Sequence, residues 1–350
     1  MVGSEMVIGW LRDMVARGGS DLYITVDAPP LLRIHDELFP LAPKNLTTND
    51  VRQIISDMTT HEQQADFFAN REFNMSLRLE DVGRFRVNIL QQRQNLALVI
   101  RAINEAIPSP EMLGLPQKLT DLVLRPRGLF LVVGATGSGK STSLAALINT
   151  RNEKMPGHIL TIEDPIEYLH PHKKSVVSQR EVGVDTASFE AAMKNALRQR
   201  PDAILVGEIR SAEVMRQALN FAETGHLVLA TLHANNASQA LDRIVSFFAQ
   251  DERRQVVLSL AYNLLAVVSQ RLVRKAGGGR VAAMELLVND DNIAKAIREW
   301  RREDIENFVE NGSGECFSFD SSLASLLHDG LIEKEVALAE CKKDIFSKDS

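Results

Sequence analysis

The chain has 350 residues, which is enough for two domains of ordinary size. Hydrophobic residues make up 45% and charged residues 25% of the sequence, as in proteins that bury sizeable cores, and the formal net charge of −6 gives no indication of nucleic-acid binding. The two cysteines, Cys316 and Cys341, form no CxxC pair, which excludes a zinc ribbon, argues against a disulfide framework and fits a reducing compartment.

The first residues predict an amphipathic helix. Val7, Trp10, Leu11 and Met14 recur at helical spacing, and Gly18 follows as a suitable C-cap. Charges inside this apolar stretch exclude a secretory signal peptide. The longest apolar run, LSLAYNLLAVV, is too short to span a bilayer, so membrane association is expected only through partners.

The rest of the first hundred or so residues predicts an α+β domain that extends over residues 1–106. DLYITV and LLRI read as strands, and a helix is predicted from Thr47 to Met58. Three antiparallel strands are predicted in FNMSLRLE, GRFRVNILQQR and LALVIRAI. IPSPEMLGLP, residues 107–116, contains three prolines and a glycine and is predicted to be a linker.

Residues 117–350 predict a parallel α/β domain. GLFLVV, HILTI, DAILV and HLVLATL are continuous apolar runs that alternate with helical stretches, as buried parallel strands do. The pattern from Ser238 to about Ser269 predicts helix. VAAMELL predicts one more strand, and the tail from Asn292 is predicted to be helical again.

Residues 134–143, GATGSGKSTS, fit the phosphate-loop pattern G-x-x-x-x-G-K-[ST] between a strand and a helix. Glycines let backbone N–H groups face a phosphate, and the helix N-terminus adds partial positive charge. Lys140 is predicted to pair with the β- and γ-phosphate oxygens of ATP, and the Ser141 hydroxyl to ligate Mg²⁺. The predicted nucleotide-binding residues are Gly134, Ala135, Thr136, Gly137, Ser138, Gly139, Lys140, Ser141 and Thr142.

Carboxylates are expected opposite this loop, at the carboxyl ends of neighbouring strands. Glu163 follows HILTI and Glu208 follows DAILV, whereas Asp202 begins its strand, ~20 Å from Glu208 at about 3.3 Å per residue, and is interpreted as structural. His233 ends HLVLATL and could donate a hydrogen bond to the γ-phosphate; the alternative is a core histidine satisfied by backbone, and we favour the functional role. For His226, at the start of that strand, both interpretations stay open.

Several blocks together resemble one family of ATPases. ILTIEDPIEYLH (159–170), RPDAILVGEIR (200–210) and TGHLVLATLHANNASQALDRI (224–244) resemble the Asp box, Walker B segment and His box of secretion ATPases. GGSDLYI and GRFRVN resemble the N-terminal domain of the pilus retraction subgroup. Over nearly its whole length the chain is therefore similar to the GspE/PilT superfamily of traffic ATPases.

Within this superfamily the chain resembles the type IV pilus retraction branch, the PilT/PilU family, because it has neither the additional N-terminal domain nor the CxxC pair of extension ATPases. Several stretches, among them SQREVGVDT and LRQRPDAILVGEIR, are more similar to the PilU subgroup. Two features depart from the family pattern. AIREWRRED, residues 296–304, stands where PilT has the signature AIRNLIRE, and Ser211 stands where many relatives have Asp.

The resemblance implies a PAS-like N-terminal domain joined flexibly to a RecA-like P-loop ATPase domain with a helical C-terminal region. It also implies a homo-hexamer, in which one subunit's N-terminal domain packs on the neighbouring ATPase domain and nucleotide binds between the two domains of one chain. Family arginines that reach the phosphates match Arg84, Arg86 and Arg101; the alternative is a solvated strand face. Alternation along the strand places Arg84 and Arg86 on one face and Phe85 on the other.

These observations predict an ATP-hydrolysing motor. Ser141 and Glu208 would organise Mg²⁺, Glu163 would orient or deprotonate the attacking water, and His233 would read the γ-phosphate, although either carboxylate fits the role of base. Lys140 and the three arginines would neutralise charge. Domain closure would act on the pilus inner-membrane platform protein and produce retraction and twitching, in the cytoplasm at the cytoplasmic face of the inner membrane and without a nucleic-acid partner.

Two alternatives belong to other classes. The chain could be an ATP-binding accessory subunit with little turnover that docks on a PilT-type retraction ATPase, as the missing AIRNLIRE signature suggests. A hexameric nucleic-acid translocase is disfavoured, because no basic loop stands out between the ATPase motifs.

Overall fold

A computed structural model describes residues 2–34, 37–103 and 106–342. The chain divides into two compact units, residues 1–106 and 107–350. None of the helices in these described ranges combines the length and the hydropathy that crossing a bilayer requires.

The first unit contains an antiparallel sheet packed against helices. In the described part of this unit the helices are α1 (Val2–Ala16), α2 (Thr48–Met58) and α3 (His61–Asn70). The strands are β1 (Asp21–Thr25), β2 (Leu31–Ile34), β3 (Glu37–Pro40), β4 (Glu72–Leu79), β5 (Gly83–Gln92) and β6 (Asn95–Ile103), in the order β3-β2-β1-β6-β5-β4. One face of the sheet and the apolar side of the helices form a single core, which includes Leu11, Ile54, Phe67, Phe85 and Ile100.

Most elements predicted for this unit are confirmed. The first helix, the strands in DLYITV and LLRI, the helix to Met58 and the three long strands all form. A capping box between Thr47 and Asp50 starts α2. Two elements were missed: β3 is a short, largely exposed strand that ends in proline, and α3 buries only Phe67, so neither carries a strong periodic signal.

The second unit is built on a mainly parallel sheet. Its strands in the described residues are β7 (Gly128–Val133), β8 (Gly157–Glu163), β9 (Ser175–Glu181), β10 (Ala203–Val206), β11 (Leu227–Leu232), β12 (Leu264–Arg274) and β13 (Arg280–Val288). The order is β13-β12-β7-β11-β10-β8-β9, and among these described strands only β12 and β13 pair antiparallel. Every residue of β7, β10 and β11 is buried, which explains their continuous apolar sequences.

Helices cover both faces of this sheet. They are α4 (Gln117–Leu122), α5 (Lys140–Lys154), α6 (Phe189–Ala196), α7 (Ala212–Glu223), α8 (Ala237–Ser246), α9 (Arg253–Asn263), α10 (Asp291–Arg298), α11 (Arg302–Glu310), α12 (Phe319–His328) and α13 (Lys334–Glu340). Alternate residues of β7 contribute to different cores: Leu131 packs with α6 to α9, and Phe130 packs with α4 and α5. The unit is therefore a doubly wound α/β fold.

One prediction for this unit was wrong. Helix was expected from Ser238 to about Ser269, but α9 ends at Asn263, and Leu264 begins β12. The stretch LLAVVSQRLV is an apolar run that fits a buried strand or a buried helix equally well, and its place between β7 and β13 decides for strand. The strand in VAAMELL is confirmed, and so are helices in the predicted tail from Asn292 as far as the described residues extend; residues 343–350 of that tail lie outside them.

Part of the segment 107–116 packs into the core of the second unit. The Leu115 N–H donates to the Pro110 carbonyl at 2.9 Å, and the Leu115 side chain packs in the same core as α4. Its role as a linker stays a prediction.

Candidate functional site

The loop between β7 and α5 is shaped by close packing that only glycine allows. Gly134 has a φ of +154°, and a Cβ there would lie 2.4 Å from the carbonyl oxygen of Gln270 and 2.5 Å from Ser138 Oγ. Gln270, on β12, also accepts a hydrogen bond from Ser143 Oγ at 2.8 Å. The neighbouring strand thus supports the loop from behind, and Gln270 is a supporting residue that the sequence did not indicate.

Lys140 begins α5 and turns back over this loop. Its Nζ donates to the carbonyl oxygens of Gly134 at 3.0 Å and Ala135 at 2.8 Å. Partial burial lowers the pKa of Lys140, and the negative charges of Glu208 and Glu167 oppose that shift. The ammonium group therefore lies where the loop backbone and two carboxylates converge, as expected of a phosphate-binding lysine.

The ends of β10 and β11 bring Glu208 and His233 together. Glu208 Oε1 lies 3.1 Å from His233 Nε2, and Glu208 Oε2 accepts from an Arg210 guanidinium N–H at 2.6 Å. Burial alone would raise the pKa of Glu208, but the Arg210 hydrogen bond and charge outweigh it, so the pKa lies below the ordinary value. Glu208 is consequently an anion at neutral pH. Arg210, which the sequence analysis did not single out, also approaches Asp164 at 3.8 Å.

Backbone contacts hold these strand ends close to one another. Thr231 Oγ1 donates to the Gly207 carbonyl at 2.5 Å, which joins β11 to the end of β10. A Cβ at Gly207 would lie 3.1 Å from the carbonyl oxygen of Ile162 and 3.2 Å from the Cα of Glu163, at the end of β8. Any larger residue at Gly207 would push the two carboxylate-bearing strand ends apart.

Glu163 occupies a different electrostatic environment from Glu208. Its Oε1 accepts hydrogen bonds from Thr161 Oγ1 at 2.6 Å and Gln179 Nε2 at 3.2 Å. Desolvation raises its pKa to about 7, although both hydrogen bonds act to lower it. A carboxyl group that titrates near neutrality can accept a proton and release it again, which is the property required of a general base.

Gln179 organises the wall beside Glu163. Besides its bond to Glu163, its amide donates to the Tyr168 carbonyl at 2.9 Å, and its Oε1 accepts from the His170 N–H at 2.8 Å. Gln179 lies in register with Thr161 across the β8–β9 pair, so its side chain reaches the same carboxylate. Gln179 was not predicted, because its only signal in the sequence is a polar residue near the end of an edge strand. Burial lowers the pKa of His170 to about 4, so this histidine is neutral.

These groups line one cleft of about 280 Å³ at the carboxyl edge of the sheet. Of the residues predicted from sequence it contains Thr136, Gly137, Lys140, Ser141, Glu163, Glu208 and His233. The carbonyl oxygens of Gly134 and Ala135 accept from Lys140 at the side of the cleft. Ser138 is buried within the loop, and Gly139 is the N-cap of α5. The Thr142 hydroxyl lies 3.1 Å from the Tyr168 hydroxyl. The cleft also contains Asp164, Glu167, Tyr168, His170 and Arg210, which the sequence analysis had not selected.

The two residues at strand starts lie outside this cleft. Asp202 accepts from the His158 N–H at 2.7 Å, in agreement with a structural role. His226 Nδ1 lies 3.1 Å from the Phe221 carbonyl, and its ring packs edge-on against the Phe221 ring. The open choice for His226 is thereby decided in favour of a structural histidine.

Three arginines of the first unit, Arg84, Arg86 and Arg101, share one face of its sheet, which we call the arginine face. Arg86 lies directly opposite Arg101 across the β5–β6 pair, while Phe85 is buried on the other face. Arg84 Nε donates to Ser76 Oγ at 2.8 Å, and Arg101 Nε pairs with Asp21 Oδ1 at 2.7 Å. The arginines are thus grouped, and their action on a phosphate stays a prediction.

The cleft is suited to a cation that binds together with the phosphates of a nucleotide. In the ranges that the structure describes, no group of three or more His, Cys, Asp or Glu side chains could hold a metal ion. The two ligands predicted from the sequence, the Ser141 hydroxyl and the ionised Glu208 carboxylate, both line the cleft. Mg²⁺ commonly binds in this way, through one or two protein oxygens together with substrate phosphates and water.

Comparison with known proteins identifies relatives over nearly the whole chain. A family model described as "Type II/IV secretion system protein" matches residues 10–316. The type IV pilus ATPase PilU of Pseudomonas aeruginosa is 46% identical over 331 residues, which cover 94% of this chain and 87% of PilU. The type IV pilus retractation ATPase PilT of the same organism is 40% identical over 327 residues, which cover 93% of this chain and 95% of PilT.

Solved structures agree with the fold. A crystal structure of the pilus retraction motor PilT with bound ADP has a TM-score of 0.91 at 38% identity and covers 97% of each chain. The Legionella pneumophila ATPase DotB has a TM-score of 0.81 at 23% identity over 95% of each chain, which shows the fold alone. The predicted fold class, an N-terminal α+β domain followed by a RecA-like P-loop ATPase domain, is confirmed.

Proposed function

The chain belongs to the type II/IV secretion system protein family and is an ATPase of its PilT/PilU group, and we propose that it is a hexameric motor that powers type IV pilus retraction. The observation that carries the proposal is the convergence of Lys140, Glu163 and Glu208 in one cleft. The two carboxyl groups have pKa values shifted in opposite directions, so they are suited to different tasks.

ATP is held by its phosphates at the loop between β7 and α5. The loop backbone and the helix N-terminus supply N–H donors, and Lys140 supplies a positive charge. Ser141 and Glu208 are the residues that would hold Mg²⁺, which when bound offsets the charge of the phosphate oxygens. The Arg210 bond to Glu208 keeps that carboxylate ionised and limits its rotation, so it is ready to bind the cation or its waters.

Glu163 acts as the base toward the attacking water. Its carboxyl has a pKa of about 7, so a large share of the molecules carry it deprotonated at neutral pH. Thr161 and Gln179 hold one of its oxygens, so the proton would be accepted by the other. His233, which contacts Glu208, would donate a hydrogen bond to the γ-phosphate and in this way sense its hydrolysis.

The arginine face supplies the remaining positive charge when the two domains close. Arg84, Arg86 and Arg101 would neutralise charge on the transferred phosphoryl group, and closure would move one domain against the other. In a ring of six this movement acts on the cytoplasmic part of the pilus platform protein at the inner membrane, and pilins are withdrawn from the pilus.

The proposal is tested by purified protein and by cells. Lys140→Ala should fold normally but lose ATP turnover, because its ammonium group lies at the phosphate loop rather than in a core. The matched control is Lys154→Ala, at the other end of the same helix, which should keep full turnover. In a strain without other retraction ATPases, the wild-type chain should restore pilus retraction and Lys140→Ala should not. Normal hydrolysis by Lys140→Ala would refute the assignment of the site.

A second candidate function is an ATP-binding accessory subunit that works with a PilT-type motor. It is favoured by the segment 296–304, which departs from the PilT signature. Here α10 ends at Arg298, and Trp300 has a φ of +54°, so the chain turns before α11 begins at Arg302. Retraction that requires this chain together with a PilT-type ATPase, but never occurs with this chain alone, would select the accessory role.

A further inference from the structure

The first unit contains a second cavity, of about 530 Å³, between its helices and the β5–β6 hairpin. We call it the Arg52–Arg71 pocket. It is lined by Thr48, Arg52, Ile55 and Ser56 of α2, by Gln64, Phe67 and Phe68 of α3, and by Arg71, Gln91, Gln94, Asn95 and Leu96. None of these residues was predicted to act on ATP. The volume falls within the range of pockets that bind small organic molecules.

The charge of this pocket is positive. Arg52 and Arg71 both line it, and among the described residues neither guanidinium has an ion-pair or hydrogen-bond partner. The described lining residues include no carboxylate. Three acidic residues on the same helices are engaged elsewhere: Asp50 closes the capping box of α2, Asp57 accepts from Gln53, and Asp66 accepts from Asn70. Two arginines without a counter-charge therefore face the same space.

Two long side chains of this pocket stand at left-handed backbone positions, a conformation that glycine or asparagine adopts more readily. Arg71, at the end of α3, has a φ of +62°, and Gln94, in the turn of the hairpin, has a φ of +64°. Left-handed backbone is disfavoured for a residue with a Cβ. Both side chains line the pocket: Arg71 adopts this conformation as the C-cap of α3, and Gln94 adopts it in the turn between β5 and β6.

The remaining lining is suited to a flat apolar group. Ile55 and Phe67 are buried beneath the pocket, and Leu96 is half-buried beside them. Phe68 is 69% exposed, and its ring centroid lies 5.5 Å from that of Phe67. Side-chain amides of Gln64, Gln91 and others add donors and acceptors at the rim. The pocket thus combines a positive end, an aromatic surface and neutral hydrogen-bonding groups.

We propose that the Arg52–Arg71 pocket is a binding site for a small organic anion that carries a flat ring. A phosphate, sulfonate or carboxylate would bind the two guanidinium groups, which present paired donors to such anions. The ring would lie against Phe68, and the amides would bond to its polar edge. The site belongs to the first unit and is chemically separate from the cleft for ATP.

The test uses the full chain saturated with Mg-ADP, so that the ATPase cleft is occupied. The probe is 8-anilinonaphthalene-1-sulfonate, whose fluorescence reports binding of a ring system bearing one anionic group. We expect saturable binding, weakened at least about tenfold by Arg52→Ala/Arg71→Ala, because the charge-assisted hydrogen bonds of both guanidinium groups to the sulfonate would be lost. Phe68→Ala should weaken binding as well.

The matched control is Arg12→Ala/Arg78→Ala, which removes two exposed arginines of the same unit that do not line the pocket. It should bind the probe as the wild type does. The uncharged dye N-phenyl-1-naphthylamine should bind weakly and without dependence on Arg52 or Arg71, and phenyl phosphate should displace the sulfonate probe. Equal affinity of wild type and Arg52→Ala/Arg71→Ala would overturn the proposal. So would displacement by an acidic tryptophan-containing peptide but not by phenyl phosphate, because the pocket would then recognise a protein segment.

Discussion

Nε2 of His233 lies 3.1 Å from Oε1 of Glu208, and this contact joins the ends of two adjacent strands at the nucleotide cleft. The other oxygen of Glu208 is held by Arg210 at 2.6 Å. Glu208 is therefore oriented from two sides and stays ionised, whereas Glu163, one strand away, has a pKa raised to about 7. The difference between the two carboxyl groups leads to distinct predictions.

Replacing either carboxyl group by an amide should impair the ATPase, and the two variants should show different defects. Glu163→Gln should bind Mg-ATP with near-normal affinity but lose hydrolysis by about 10²–10⁴-fold, because only proton acceptance is removed. Glu208→Gln should also weaken the Mg²⁺ dependence of binding, because an anionic oxygen near the cation is lost. Titration with a fluorescent ATP analogue, with and without Mg²⁺, measures both effects. Equal metal dependence in the two variants would contradict these roles.

The rate of hydrolysis should depend on pH through Glu163. The group works as a base only when it is deprotonated, so turnover should rise with pH and reach half its maximum near the pKa of about 7. The folded protein holds this proton more tightly than a free Glu side chain with a pKa of 4.5, so the stability that this group contributes is present at low pH and lost as pH rises through about 7. The melting temperature of Glu163→Gln relative to the wild type should therefore increase with pH. A difference that is constant from acidic to alkaline buffer would show that Glu163 titrates normally.

Gln179 should act on the same titration without contacting the nucleotide. Its amide donates to Glu163 and lowers the pKa of that carboxyl, so Gln179→Ala should shift the acid limb of the rate profile to higher pH. We also expect a loss of turnover of about tenfold, because the carboxyl loses orientation. The control is Ser178→Ala, one residue earlier on β9, whose hydroxyl contacts His158 instead. A lower rate with an unshifted profile would mean that Gln179 only supports the fold.

The arginine face should affect turnover far more than ATP affinity. Arg101→Ala and Arg86→Ala are each expected to lower hydrolysis at least tenfold, because an arginine placed at transition-state charge can contribute about 10³–10⁵ in rate. Binding of ATP rests mainly on the phosphate loop and should change much less. Arg12→Ala, on α1, serves as the control for loss of a positive charge in this unit. If Arg101→Ala and Arg86→Ala hydrolyse ATP normally, these arginines form only a solvated strand face.

Ser211 is explained by the structure and offers a test of stability. It is the N-cap of α7: its hydroxyl accepts from the Val214 N–H at 3.4 Å and donates to Glu190 Oε1 at 2.9 Å. Ser211→Ala should lower the free energy of unfolding by about 1 kcal/mol. Ser211→Asp keeps a capping oxygen but faces Glu190 with a second carboxylate, so its stability should recover when Glu190→Gln is added. Chemical denaturation of the single and double variants measures this coupling, and additive effects would contradict it.

The sequence by itself determined the features that carry a strong local spacing pattern. Three relations follow from the periods of helices and strands. The phosphate-loop pattern lies between a strand and a helix, Arg84 alternates with Phe85, and apolar runs are followed by Glu163, Glu208 and His233. The structure keeps each of these relations, because parallel strands place their carboxyl ends on one edge of a sheet.

Only the tertiary structure decided which distant residues become partners. Strand order and register decide three of these relations, and no local pattern contains either. They are the hydrogen bond from Gln179 to Glu163, the position of Gln270 behind the phosphate loop, and the pairing of Arg101 opposite Arg86. The same cause explains the missed start of β12, since an apolar run becomes strand or helix according to the neighbours that bury it. The pKa of Glu163 likewise depends on how far surrounding elements exclude water from its carboxyl, a property of packing that does not exist until the sheet has formed.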